Sequence, residues 1–291
     1  MKVVYKVISW VLGVVLTIGL AVGGFALFVN AKYGINMFSV VKSLGKLGGE
    51  VDLEVIAPNR PTDADKQSTQ TTVNGAIAGM ISYNSETDKY TLNTSVSGAM
   101  ENDLKLSGKQ VCVLLNLMLD TSSESMVANI GGTEIDLKEY DFQIVQVDFS
   151  EITTNSVNFN IVMSVSLQKL KDKMNSFPTN MFKDKVPDAL YISSTLKITK
   201  LENTFNYEVS SVSLALNNMT GKEVENVFKL VNIVAKIGEL DNFNKSLGEG
   251  FVNAMIGNSS ASGFGYSLTS VGATDYDFEQ IGDVIYYVIK A

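Results

Sequence analysis

From Val7 to Val29 the chain carries no charged side chain. As a helix this stretch is roughly 34 Å long, enough to cross a hydrocarbon core about 30 Å thick. Lys2 and Lys6 precede it and Lys32 follows it. Basic residues at the start favour a cytoplasmic N-terminus. The pattern predicts a cytoplasmic stub and transmembrane signal anchor over 1–32, with an extracytoplasmic domain over 33–291. The alternative is a cleaved signal peptide with Val29-Asn30-Ala31 as its small-residue site. Signal cores run about 7–15 apolar residues, shorter than this stretch.

Beyond the anchor, Met37, Val40, Val41, Leu44 and Leu47 recur at helical spacing, and Gly48-Gly49 ends the run. This predicts a helix over 36–48 that follows the anchor with little linker and holds the domain near the bilayer. Residues 57–72 are polar, contain Pro58 and Pro61, and read as a loop. From residue 76 strands dominate. Tyr83 and Tyr90 flank a polar hairpin turn. Val157, Phe159, Ile161, Met163 and Val165 alternate with Asn158 and Asn160, which predicts a strand with its asparagines facing outward. Leu190, Ile192, Leu196 and Ile198 alternate likewise. The 205–216 run starts in phase with Phe205, Tyr207 and Val209, then shifts to Val212, Leu214 and Leu216, which implies a bulge or a switch of buried face. Val284–Ile289 is apolar on both faces and reads as a buried strand.

Two helix starts echo each other. Ser107-Gly108-Lys109-Gln110-Val111 and Thr220-Gly221-Lys222-Glu223-Val224 both fit a capping box, a hydroxyl at the N-cap and Gln or Glu three residues on. Val111, Leu114, Leu115 and Met118 correspond in spacing to Val224, Val227, Phe228 and Val231. Upstream, Leu92, Val96 and Ala99 align with Phe205, Val209 and Val212. The pattern suggests a duplicated hairpin–helix unit over 76–119 and 189–237. The expected fold class is α+β, a strongly curved antiparallel sheet wrapping helices.

Composition narrows the chemistry. The chain has no histidine and one cysteine among its 291 residues. That removes His-based triads, the usual zinc and haem ligand sets, and any intrachain disulfide. Cys112 lies in an apolar helical run and reads as a buried thiol. The net charge is −8 and Arg60 is the sole arginine, which argues against a nucleic-acid partner. Ser39-Val40-Val41-Lys42 and Ser166-Leu167-Gln168-Lys169 match the Ser-x-x-Lys nucleophile pattern without its companion motifs. Ser166 reads better as the cap of a helix over 167–175. Asp63/Asp65 and Asp275/Asp277 are carboxylate pairs, too sparse for a calcium loop and read as solvated turns. No cofactor or metal is expected.

Residues 243–257 place Phe243, Leu247, Phe251, Ala254 and Met255 on one helical face, and Gly263–Leu268 reads as the opening of a strand. Met255, Phe264 and Tyr266, with Val224, Phe228 and Val231, form the candidate lining for an apolar ligand, against the plainer reading as core.

With its anchor, its hydroxyl-Gly-Lys-x-Val helix starts and its long amphipathic strands, the chain resembles membrane-anchored extracytoplasmic proteins of low-GC Gram-positive bacteria. Most of these are of unknown function, and some have a bent-sheet, lipid-binding type of fold. The resemblance implies no particular functional residue. The leading expectation is a non-enzymatic, single-pass envelope protein that binds a lipid or other apolar ligand beside the bilayer. The alternatives are an assembly partner of another envelope protein and a carboxylate-based glycan hydrolase, which needs two facing acidic residues.

Overall fold

The long alternating runs build the largest sheet. The structure, a computed structural model, describes residues 45–93, 96, 98–121, 127–130, 133–136, 140–173, 186–202, 204–235, 239–260 and 263–291. The expected anchor at 7–29, the Val29–Ala31 junction, Ser39 and most of the 36–48 helix lie outside them. Residues 45–47 are helical and Gly48 is in a turn, where the glycine pair is expected to stop the helix.

Helix α1 is Leu53–Ile56 and α2 is Asp63–Ala76. Strands β1 (Ile81–Asn84) and β2 (Lys89–Leu92) form a hairpin, with Tyr83 opposite Tyr90. Strand β3 (Leu104–Ser107) leads into α3 (Gly108–Thr121). Strands β4 (Val127–Ile130) and β5 (Thr133–Asp136) pair with each other. Strands β6 (Gln143–Ser150), β7 (Ser156–Ser166), β8 (Ala189–Lys200), β9 (Tyr207–Leu216) and β10 (Met219–Thr220) form a five-stranded sheet in the order β10-β9-β8-β7-β6. Helix α4 is Gln168–Lys173, α5 is Lys222–Ala235, α6 is Leu240–Met255 and α7 is Phe264–Ser267. Strands β11 (Asp275–Ile281) and β12 (Val284–Lys290) complete a three-stranded sheet, β11-β12-β3.

The class is α+β with antiparallel sheets. The expected single bent sheet is corrected, because no sheet among the described residues is strongly curled. Separate layers close the core instead. Phe159, Met163, Ile192, Leu196, Ile198, Val209 and Leu216 bury one face of the large sheet. Helix α6 lies against β8 and β9, so close that a Cβ on Gly248 would sit 2.2 Å from Leu196 Cδ1. Helix α3 lies between β6 and the small sheet. The Phe149–Phe278 ring contact at 5.3 Å ties the two sheets together, and Phe278–Tyr287 at 5.7 Å continues it within the small sheet.

A buried polar clamp explains the phase change in β9. Register shifts between Thr195 and Leu196, leaving Val212 as the extra residue, 53% exposed. The predicted bulge is therefore there, while Val212 leaves the inward set. Leu214 and Leu216 keep the buried face of Val209 because of it. The bulge disturbs the ladder, and Asn244 of α6 repairs it. Its Nδ2 donates to Ser213 O at 3.0 Å and Ser211 Oγ at 2.8 Å, while Ser194 Oγ donates to its Oδ1 at 2.6 Å. A bulge plus a buried amide preserves both burial and hydrogen bonding.

Other asparagines act as clips on single residues. Asn74 accepts from Ile81 N–H at 2.8 Å and donates to Ile81 O at 2.7 Å. Asn116 does the same to Ile144, at 3.0 and 2.8 Å. A primary amide carries the donor and acceptor of a neighbouring strand, so Asn116 satisfies part of the β6 edge without another strand.

Several expectations change. The 57–72 loop contains most of α2. Thr62 caps it with a complete capping box, Thr62 N–H donating to Asp65 Oδ2 at 2.8 Å. The helix is polar along its length and buries little beyond Thr69 and Val73, so apolar periodicity misses it. Residues 264–267 form an α-helix and 268–271 a 3-10 turn, not a strand. Gly263 and Gly265 permit contacts that would put a Cβ 2.0 Å from Asn253 O and 2.2 Å from the Tyr287 hydroxyl oxygen. Asn158 is buried, because β7 is a central strand and Glu151 accepts from its amide at 2.7 Å.

The two echoed segments differ in their surroundings. In 76–119, β1 and β2 pair only with each other among the described residues and β3 joins β12; in 189–237, β8, β9 and β10 are successive neighbours in one sheet. Gly108 is needed for contact, since a Cβ there would lie 2.5 Å from Val147 O, whereas Gly221 adopts φ +51°. The first capping box forms, with Ser107 N–H donating to Gln110 Oε1 at 2.9 Å.

Candidate functional site

The residues singled out for an apolar ligand are packed among themselves. Met255 and Phe264 are buried and meet Leu114, Leu115 and Tyr287 around a void of about 10 Å³. That is at the lower limit for holding one water. Val224 and Phe228 are buried, with Phe228 5.4 Å from Phe243. Tyr266 is half-buried and meets Phe205 edge-on at 5.8 Å. The side chain of Val231 lies outside the described residues.

A different place has the dimensions of a binding site. An open groove of about 770 Å³ is lined from four directions. The segment before α2 and its first turns supply Leu53, Arg60, Pro61 and Lys66. The hairpin supplies Asp88, Lys89, Tyr90 and Thr91. Helix α3 supplies Val113, Asn116, Leu117 and Asp120, and the large sheet supplies Gln143, Ile144, Val145, Ser164 and Tyr191. The volume and the mixture of apolar and hydrogen-bonding groups suit a ligand of moderate size.

Local sequence fixes each wall. Pro58 and Pro61 restrict the backbone on either side of Arg60. Asn59 pins that segment to β6, its N–H donating to Gln146 Oε1 at 2.7 Å and its Nδ2 to Asp148 Oδ2 at 2.9 Å. Arg60 Nη2 pairs with Glu54. Its Nη1 is buried and has no hydrogen-bond acceptor among the described residues. In the hairpin, Tyr83 stacks at 4.8 Å on Tyr90 and donates to Asp88 Oδ1 at 2.8 Å. That hydrogen bond to Asp88 raises the Tyr83 pKa above its ordinary value.

Below Arg60, burial works against the charged form of Asp65. Hydrogen bonds from the Thr62 N–H and hydroxyl, and Lys109 at 3.7 Å, outweigh it and hold the carboxyl below its usual value. The Asp63/Asp65 pair thus serves the start of α2, with Asp63 2.9 Å from Lys66. Asp275 pairs with Lys200 at 2.6 Å. Ser166 Oγ accepts from Gln168 N–H at 3.4 Å, as expected of a cap. Cys112 is buried beside the groove, and burial pushes its thiol up to about 12.

Sequence reasoning missed this groove because its residues come from six separated segments. The available signal was the only arginine, set between two prolines. No family model, curated protein or solved structure matches the chain.

Proposed function

We propose that the chain is a non-catalytic, membrane-tethered envelope protein whose groove receives an extended segment of a partner protein. The observation that carries this reading is the position of β2 on the groove. Lys89, Tyr90 and Thr91 line it, and β2 pairs with β1 alone among the described residues. A strand with one free edge is a template for main-chain pairing by an extended peptide, with pockets beside it for alternate side chains. Tyr90 and Tyr191 offer flat contact area, and Gln143 and Ser164 offer hydrogen bonds. The groove's carboxylates are Asp88, which accepts the Tyr83 hydroxyl, and Asp120.

A lipid site among Met255, Phe264 and Tyr266 would have to open a void of about 10 Å³, so the groove is the better-supported site. The test is selection of displayed random dodecapeptides on the full chain in nanodiscs, followed by fluorescence anisotropy. Selected peptides should bind saturably and lose affinity on Tyr90→Ala and on Asp120→Trp, which fills the groove from its exposed side. Val284→Asp, at the remote β11–β12 turn, should have no effect. Binders indifferent to both groove variants, or a stoichiometric lipid retained in native mass spectrometry, would overturn the proposal.

A further inference from the structure

The groove has a charge preference that its overall mixture of residues hides. On a chain of net charge −8, it gathers the only arginine and two lysines, Lys66 and Lys89, against two carboxylates, Asp88 and Asp120, the first of which accepts the Tyr83 hydroxyl. Arg60 is held before any ligand arrives, bracketed by prolines and tied to β6 through Asn59. Pre-positioning of this kind lowers the ordering cost of binding. One amino group of the guanidinium is committed to Glu54, while the other, Nη1, is buried without an acceptor. A planar fork of donors matches the two oxygens of a carboxylate. Lys66 pairs with Asp63 where both side chains are largely exposed, an arrangement that holds the ammonium weakly. Lys89 has no ion-pair partner among the described residues.

We infer that Arg60, assisted by Lys66 and Lys89, forms a carboxylate subsite that makes the groove selective for acidic peptide segments. The inference rests on the peptide-binding reading above and names the class of peptide. Glu54 is then an internal competitor: it occupies half of the guanidinium and sets how much of the fork an incoming carboxylate captures.

The test uses fluorescein-labelled hexaglutamate and hexaglutamine, titrated by anisotropy against the full chain in nanodiscs. Hexaglutamate should bind saturably and at least tenfold more tightly than hexaglutamine, a gap of about 1.4 kcal/mol. Arg60→Met should erase that preference, bringing hexaglutamate to the affinity of hexaglutamine measured on the same variant. Glu54→Gln should tighten hexaglutamate about threefold, the opposite sign to loss of Arg60. Should Arg60→Met fail to fold, Arg60→Lys keeps the charge without the fork and should lose part of the preference.

Retention of the preference by the Arg60 variant overturns the subsite. Weaker binding on Glu54→Gln overturns it too, because Arg60 then serves the Glu54 pair and not a ligand. In both cases hexaglutamine or selected neutral peptides that still bind leave the groove reading standing. Absence of binding by these probes and by every selected peptide defeats both.

Discussion

Replacing Asn244 by leucine is the sharpest test of how the core is held. Asn244 is 1% exposed and Ser194 2%, so water cannot take over from either side chain. Leucine keeps the branching and heavy-atom count of the side chain but removes the acceptor of Ser194 and the donor to Ser211 Oγ and Ser213 O. Each buried group left without a partner costs about 1–3 kcal/mol. Ser211 is half-buried and Ser213 exposed, so both recover water and the bill falls on Ser194. The expected loss is about 1–3 kcal/mol. For a domain of this size that lowers the midpoint of thermal unfolding by roughly 2–12 °C.

A double-mutant cycle isolates the pair. Ser194→Ala alone leaves Asn244 Oδ1 unpaired and should cost about 1 kcal/mol. Combined with Asn244→Leu it removes an orphaned hydroxyl, so the double variant should be more stable than additivity by at least about 1 kcal/mol. Urea unfolding of the full chain in a mild detergent, followed by circular dichroism, measures all four proteins. Additivity within about 0.5 kcal/mol, or a loss below about 1 kcal/mol for Asn244→Leu, would refute the clamp as the device that tolerates the bulge.

Gly108→Ala should destabilise by about 1–3 kcal/mol because the new methyl meets backbone at Val147, and Gly221→Ala should cost about 1–2 kcal/mol through its positive φ. Equal urea midpoints for either variant and the parent would contradict this. Native Cys112 should resist a water-soluble disulfide reagent at pH 8 and react at once in denaturant, since burial pushes its thiol up to about 12; rapid native labelling would show an open path to it. Hydrogen bonds from Lys105, 2.7 Å away, and from Lys290 hold Glu279 below its ordinary value. A carboxylate with a lowered folded pKa stabilises fully above its unfolded value and loses that effect as pH falls through the folded one. The stability gap between the parent and Glu279→Gln should therefore be present at pH 7 and narrow as acid is added through the carboxylate range. A gap of the same size at both ends would count against the pairing.

Much of the β architecture is written in side-chain alternation. The Tyr83–Tyr90 hairpin, β7, β8 and the bulge in β9 follow from period-two patterns, because one sheet face excludes water and selects for them. Helices with an apolar stripe, α3 and α6, are equally legible. Helix α2 is not, since capping and polar contacts stabilise it and leave little apolar periodicity. Helix α7 is misread because glycines beside aromatics suit both a bent strand and a tight helical turn; close approach to Asn253 and Tyr287 decides between them. The groove is the least legible part. Arg60, Tyr90, Asn116 and Tyr191 lie far apart in sequence, and only the pairing of distant segments brings them to one place. Met255 and Phe264 mark an apolar cluster correctly, but a sequence pattern does not distinguish a lined cavity from a filled one.

Strand β12 lies between β11 and β3, so Leu104–Ser107 find their hydrogen-bonding partners about 180 residues later in the chain. During synthesis, β3 and the apolar side of α3 must wait for that late strand. Contacts of such separation form slowly and leave an intermediate with an open edge and uncovered Val111, Leu114 and Leu115. The order of emergence thus makes assembly of the small sheet the step most exposed to misfolding. Pulse-chase proteolysis of ribosome-released chains should show residues around Leu104–Leu115 cut until β12 has been made, and protected immediately afterwards.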